Sequence, residues 1–429
     1  MRSIARTLLC LCLLLPLSAA AQITIEITGG AVGAVPIAVV PFRTAEGTGS
    51  LDTDVAEIVR SDLYRTGLFD TLPPSNFITQ PASSEEVRYQ NWRALGADYL
   101  VVGRVERSGT GYEVSFELMD VYGARVLASK RYVVPPNALR ITAHTIANEI
   151  FRTLTGRPGG FNSRLLYVRE QGSGDDRRYQ LIYAEADSRN PQAILTSESP
   201  IMSPVWGPER ERLAYVSFEN GRSEIYVQEV RTGQRRKVAS FPGINSAPAF
   251  SPDGESLAMS LSRDGSPDIV VLDLDSGETR RLTSAGAIDT EPVWSPDGEW
   301  IYFTSDRGGN PQIYRIPANG GDVSRVTYEG NYNASPDISP TGDLLAMVHR
   351  GEGGGFRIAV QDLETGLVNV LTDGPLDESP TFAPNGAMLA YTRVDGDRTE
   401  LATVSVHGRA NDTLTRTDAE VREPAWSAQ

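Results

Sequence analysis

Cysteine is almost missing from this chain. Its two copies, Cys10 and Cys12, both fall within the first 21 residues. Everything downstream therefore lacks a disulfide framework and a cysteine nucleophile. Histidine is nearly as scarce. His144, His349 and His407 lie far apart, and none has a partner at metal-ligand spacing, which argues against a zinc centre. Lysine occurs only at Lys130 and Lys237, against 40 basic residues in all, an imbalance read as codon bias. No Gly-x-Ser-x-Gly elbow, Gly-x-Gly-x-x-Gly turn or phosphate loop is present, so these hydrolase and nucleotide-binding signatures fail. After the leader no apolar run approaches the roughly 20 residues that span a bilayer, so no integral membrane protein is expected.

The first 21 residues read as a cleaved signal peptide. Arg2 and Arg6 give a basic start, Leu8 to Leu17 an apolar run, and Ala19-Ala20-Ala21 a small-residue cleavage site. Neither cysteine stands at that site, which disfavours a lipid-anchored start. Removing the leader, which has two arginines and no acid, moves the formal charge from −15 to −17. So acidic a surface makes nucleic acid an unsuitable partner.

What the chain does have is a repeat. Pro204, Pro248, Pro292, Pro336, Pro380 and Pro424 stand 44 residues apart, and Pro208, Pro252, Pro296, Pro340 and Pro384 keep step with them. A period of this length signals a solenoid or a propeller. Each repeat holds an inner strand ending at Trp206, Phe250, Trp294, Ile338, Phe382 or Trp426. A turn of the Ser251-Pro-Asp-Gly254 kind follows. The next strand is nearly all apolar, as in Leu213-Ala-Tyr-Val216 and Ile301-Tyr-Phe-Thr304, which suits a sheet covered on both faces. Two further strands complete a four-stranded propeller blade. Residues 164–196 supply three strands without an inner one, and Glu423 to Trp426 supply an inner strand with nothing after it. The two fragments make a sixth, composite blade.

The expected fold is an α/β N-terminal domain followed by an all-β six-bladed β-propeller, closed by pairing of the C-terminal strand with the first blade. The expected divisions are a signal peptide at 1–21, the α/β domain at 22–156, a linker at 157–163 and the propeller at 164–429. In the α/β domain, residues 37–42 read as a strand. Leu51, Val55, Ile58, Val59 and Leu63 form a helix face. Ser83 with Glu86 reads as a capping box opening a second helix through Trp92. Three antiparallel strands at 99–105, 112–119 and 125–134 precede a last helix ending at Gly156.

Two features point to binding. The segments before the inner strands read as loops around one mouth of the channel. They carry Ile244, Asn245, Ser246 and Ala247; Asp289, Thr290 and Glu291; Tyr332, Asn333 and Ala334; Asp377 and Glu378; and Glu420 through Arg422 to Glu423. Converging polar and acidic groups there suit capture of a peptide or a cation; the alternative is solvated loop charge. The second feature is the mature N-terminus, Gln22, Ile23, Thr24, Ile25, Glu26, Ile27 and Thr28, running on to Gly33. Its alternation suits strand addition to a partner's sheet, or equally an edge strand of its own domain. Asp273-Leu-Asp-Ser-Gly277 hints at a calcium loop, but Glu278 stands where that loop needs glycine, so a capped hairpin turn is expected. No metal or cofactor is expected. The functional classes in view are a non-enzymatic adaptor, a propeller-based periplasmic hydrolase or lyase, and an ion-binding propeller.

Taken together, the leader, the strand Val35-Pro-Ile-Ala-Val-Val-Pro-Phe42, Ala247-Pro-Ala-Phe-Ser-Pro-Asp-Gly254, Thr290-Glu-Pro-Val-Trp294 and Pro424-Ala-Trp-Ser427 resemble the TolB family across essentially the whole chain. The resemblance implies a periplasmic component of the Tol-Pal system of Gram-negative bacteria. Such a protein links the outer-membrane lipoprotein Pal to the inner-membrane protein TolA, and supports outer-membrane integrity and constriction at cell division. It implies that Pal docks on the propeller mouth, at Ile244 to Ala247 with Thr290. Ile244 departs from the histidine the family often has there. It also implies that residues 22–33 bind TolA, and that bacteriocin translocation peptides use the Pal mouth.

Overall fold

The computed structural model describes residues 33–263, 265–284, 286–415 and 417–428. The N-terminal domain is a mixed sheet built from β1 (Val35–Val39), β2 (Arg43–Thr44), β3 (Phe69–Thr71), β4 (Tyr99–Ser108), β5 (Gly111–Asp120) and β6 (Arg125–Val134). Its main order is β3-β1-β4-β5-β6, with β1 parallel to both β3 and β4 and the later pairs antiparallel. Helices α1 (Val55–Arg65) and α3 (Leu139–Thr155) bury Val59, Leu63, Ala143, Ile146, Ile150 and Leu154 against the sheet. Asp54 caps α1 by accepting the Glu57 N–H at 3.0 Å. Gly156, at φ +74°, ends α3 in the left-handed conformation that suits glycine.

The expected capping box at Ser83 and Glu86 does not form. Ser83 makes no side-chain cap, and residues 84–86 close only a short 3-10 turn. Arg43 takes the Glu86 carboxylate with two bonds of 2.9 and 2.7 Å, and the Ala82 N–H donates to it as well. With its carboxylate engaged elsewhere, Glu86 cannot reach back to a cap. The second helix, α2, therefore covers only Tyr89–Ala94.

Six four-stranded sheets follow. Blade one spans 201–239, blade two 245–281, blade three 289–325, blade four 332–370 and blade five 376–413. Blade six is composite: strand Glu420–Trp426 pairs antiparallel with Arg164–Gln171, setting Trp426 opposite Leu165 and Glu420 opposite Glu170. Ser427 fastens the seam, its N–H donating to the Arg164 carbonyl at 2.8 Å and its Oγ accepting the Arg164 N–H at 2.9 Å. The apolar second strands are buried as their composition predicts; Leu213, Ala214 and Tyr215 have no exposed surface.

One expectation is corrected here. The inner strands start before the proline motif rather than at it, at Ile201, Asn245, Asp289, Tyr332, Leu376 and Glu420. The segments read as mouth loops are therefore largely the first halves of strands. Each inner strand then breaks register in a β-bulge. The bulge residue, Ser203, Ala247, Glu291, Ser335, Ser379 or Glu423, has φ between +48° and +55° and immediately precedes the conserved-spacing proline of its repeat. Proline has no N–H for the ladder, and a bulge is where a strand tolerates that loss.

The two domains share one apolar core. It runs from Ile37, Val59 and Phe151 through Phe161 to Leu165, Tyr167, Met388, Leu401 and Trp426. The segment between the domains is held on both sides: Asn148 accepts the Phe161 N–H at 2.9 Å, and Asn385 donates to the Gly159 carbonyl at 2.8 Å. Asn385 lies in the Ala383-Pro-Asn-Gly386 turn, so the N-terminal domain sits at the turn end of blade five. An ionic cluster reinforces the contact: Arg140 of α3 binds Glu185 and Asp187 of blade six.

Candidate functional site: the propeller channel and its rim

Because each inner strand bulges at the same place, the six repeats present matching rings of side chains to the axis. They enclose a cavity of about 390 Å³ lined by all six prolines and the six bulge residues. Met202, Ser246 and Thr290 line its entrance. Just before the inner strands of blades two and three, Ile244 and Ile288 occupy the same repeat position and are half exposed (52% and 51%), and Met202 of the channel lining is 41% exposed. Blades one to three thus carry an apolar arc on the rim, a feature that marks docking surfaces when it is contiguous.

Inside the channel the chemistry is acidic. Glu291 Oε2 accepts from Thr304 Oγ1 at 2.7 Å and from the Ser335 N–H at 2.9 Å, and its Oε1 from Ser335 Oγ at 2.8 Å. Glu423 accepts the Ser203 N–H in the same way. Each carboxylate therefore ties its blade to the next, satisfying an N–H that the bulge turns out of its own ladder. Burial pushes the Glu423 carboxyl up, against the opposing pull of the Ser203 N–H. Deeper, Asp337 accepts from the Phe382 N–H at 2.6 Å and the Ile338 N–H at 3.0 Å. Burial dominates over these bonds and pushes Asp337 up to about 6.

The residues expected at the mouth divide into two sets. Asn245, Asp289, Asn333 and Asp377 share one repeat position and are fully buried. Asn245 is used up by two loops, accepting from the Phe241 N–H at 3.0 Å and donating to the Phe241 carbonyl at 2.8 Å and the Ser223 carbonyl at 3.2 Å. Asp289 holds Arg307 through two bonds of 2.9 and 2.8 Å. Asn333 donates to Gln312 and Glu329 and meets His349 Nδ1 at 2.8 Å. Asp377 has Arg393 Nε 3.9 Å away, and burial pushes its carboxyl up. These four side chains shape the rim without facing a partner. The others are accessible: Ser246, Ala247, Thr290 and Glu291 line the channel cavity, and Ile244, Glu378 and Glu420 are exposed. Arg422 spans Glu170 and Glu420. Gln22 to Thr28 lie outside the described residues, and Gly33 is exposed.

Sequence reasoning placed Glu423 at the mouth but missed Asp337, Ser203, Ser335 and Ser379 as channel residues. The signal was available for three of these four: each serine occupies the position just before a 44-spaced proline. Asp273, by contrast, caps its hairpin as expected, accepting from the Ser276 N–H and Oγ at 2.8 Å each. Among the described residues no helix is long and apolar enough to cross a membrane.

Fold and rim together define a class of two-domain propeller protein, with an α/β domain seated at the turn end of the ring and an open, apolar-rimmed mouth. The comparisons with known proteins identify the family. Residues 151–429 match the TolB beta propeller domain and residues 23–127 the TolB amino-terminal domain. The Tol-Pal system protein TolB of Alkalilimnicola ehrlichii is 52% identical over 428 residues, covering 99% of this chain and all of that one. The Tol-Pal system protein TolB of Methylococcus capsulatus is 49% identical over 57% of each chain. The crystal structure of TolB from Acinetobacter baumannii superposes with a TM-score of 0.84 at 40% identity, over 92% of this chain and 97% of that one. The chain belongs to the TolB family. Its relatives are named for a system rather than for a reaction.

Proposed function

We propose that this chain is a non-enzymatic periplasmic adaptor of the Tol-Pal system. It docks Pal on the propeller mouth, engages TolA through residues 22–33, and so supports outer-membrane integrity and invagination at division. The observation that carries the reading is the apolar arc of Met202, Ile244 and Ile288 at the entrance of an acid-lined channel. A rim of this kind fits a folded protein partner, with apolar contacts around a polar centre. Ile244 keeps that role without histidine chemistry. Bacteriocin translocation peptides are expected at the same mouth.

The test is a pair of binding measurements on the mature chain. Ile244→Asp combined with Ile288→Asp should weaken Pal binding at least tenfold and leave TolA binding intact. Deleting residues 22–33 should do the reverse. Asn245 is unsuitable for this purpose, because its buried amide holds the loop together. Retention of both partners by both variants would end the adaptor reading.

A further inference from the structure

We propose that a divalent metal ion binds at the domain interface, held by His144, Glu185 and Asp187. One ring nitrogen of His144 and one carboxylate oxygen from each of the two acids lie within 4.8 Å of one another. The three come from different domains: His144 from α3, and Glu185 and Asp187 from the hairpin end of the second strand of blade six. The sequence separation of about 40 residues hides them from any spacing motif.

The histidine is what distinguishes this group from an ordinary acidic cluster. It is 2% exposed, and Asp62 Oδ2 lies 2.6 Å from its Nδ1. A carboxylate accepts, so Nδ1 is the donor to Asp62 and Nε2 is the nitrogen left to ligate. Nε2 has no hydrogen-bond partner in its buried setting. A carboxylate holding one imidazole nitrogen so that the other is free to ligate is the usual second shell of a metal site. Around it, the three carboxylates of Asp62, Glu185 and Asp187 outnumber the two guanidiniums of Arg65 and Arg140 that pair with them. One nitrogen and two carboxylates suit Zn²⁺, with water as a fourth ligand. Arg140 already binds an oxygen of each acid, through Nε to Glu185 at 2.5 Å and through Nη2 to Asp187. Glu185 Oε1 also accepts from Asn190 Nδ2 at 2.7 Å and Asp187 Oδ1 from the Arg189 N–H at 3.3 Å, so the ion competes with these donors and, above all, with the guanidinium.

That competition makes the proposal testable. The mature chain, stripped with a chelator, is titrated with zinc chloride by calorimetry, and its thermal unfolding is followed with and without zinc. One ion per chain should bind and raise the unfolding temperature. His144→Gln should weaken binding at least tenfold, and Asp187→Asn likewise, while Arg140→Gln should tighten it. If His144→Gln does not fold, as judged by circular dichroism, Asp187→Asn decides the matter. Absence of saturable heat in the wild type overturns the proposal. Equal affinity in wild type and variants also overturns it, because the zinc is then on other groups.

Discussion

Six residues of the inner strands adopt a backbone conformation that side chains resist, and each precedes a proline of the 44-residue series. The left-handed region costs a non-glycine residue roughly 1–2 kcal/mol. The compensation is local: the displaced N–H of Ser335 meets Glu291, that of Ser203 meets Glu423, and that of Glu423 meets Thr392 Oγ1 at 3.1 Å. Asp337 shows the other side of burying polar groups near the axis. An aspartate pushed up to about 6 is penalised in the folded state once it ionises. Its effect on stability is absent below about pH 4, where both states are protonated, and grows as pH rises through 6. The penalty at neutral pH is up to about 3 kcal/mol. Asp337→Asn should therefore gain on the wild type by about 1–3 kcal/mol between pH 4 and pH 7.5 in urea unfolding. A difference that stays constant with pH would remove this account. At this scale the sequence was only partly legible. The prolines stood out because their period survives every blade. The sign of φ before them did not, since Ser, Ala and Glu carry no mark of it.

At the level of elements, the blade is the unit that composition describes well. Continuous apolar runs marked the second strands because both faces are covered, and the two incomplete chain ends marked the composite blade. The first half of each inner strand was read as loop for a physical reason. Its residues are polar, yet they are buried because neighbouring loops satisfy their hydrogen bonds: Asn245 meets Phe241 just before its strand, and Asp289 meets Arg307 just after the next one. The capping box misled because Arg43, distant in sequence, holds the Glu86 carboxylate. The seam in blade six carries a prediction. Deleting residues 420–429 removes the inner strand of blade six together with Trp426, whose indole N–H donates to Ser163 Oγ at 2.7 Å. The truncated chain should lose its cooperative thermal transition and elute as aggregate in size-exclusion chromatography, since it exposes unpaired strand edges. A monomer melting like the wild type would show that the seam is dispensable.

Across the whole molecule, the domain contact is the part that no repeat or periodicity announces, because its residues are drawn from both domains and from the chain's end. Gly67 packs tightly against the propeller. It has φ +67°, and a Cβ there would collide with the side chain of Ser405 in blade five. Gly67→Ala should therefore cost about 1–3 kcal/mol and shift the N-terminal domain on the propeller. Hydrogen exchange in α1 and in the strand ending at Ser405 would register the change, and unaltered protection in both would argue against a tight seat. The stitched blade has a further consequence, one of timing. A chain that emerges from its N-terminus displays residues 164–197 early, yet their missing neighbour is the strand Glu420–Trp426. The first three strands of that blade must wait for more than two hundred residues with an open edge. Until Trp426 arrives the ring has no closed state to reach, so a chain interrupted anywhere short of its end is left without a finished propeller, however many whole blades it contains.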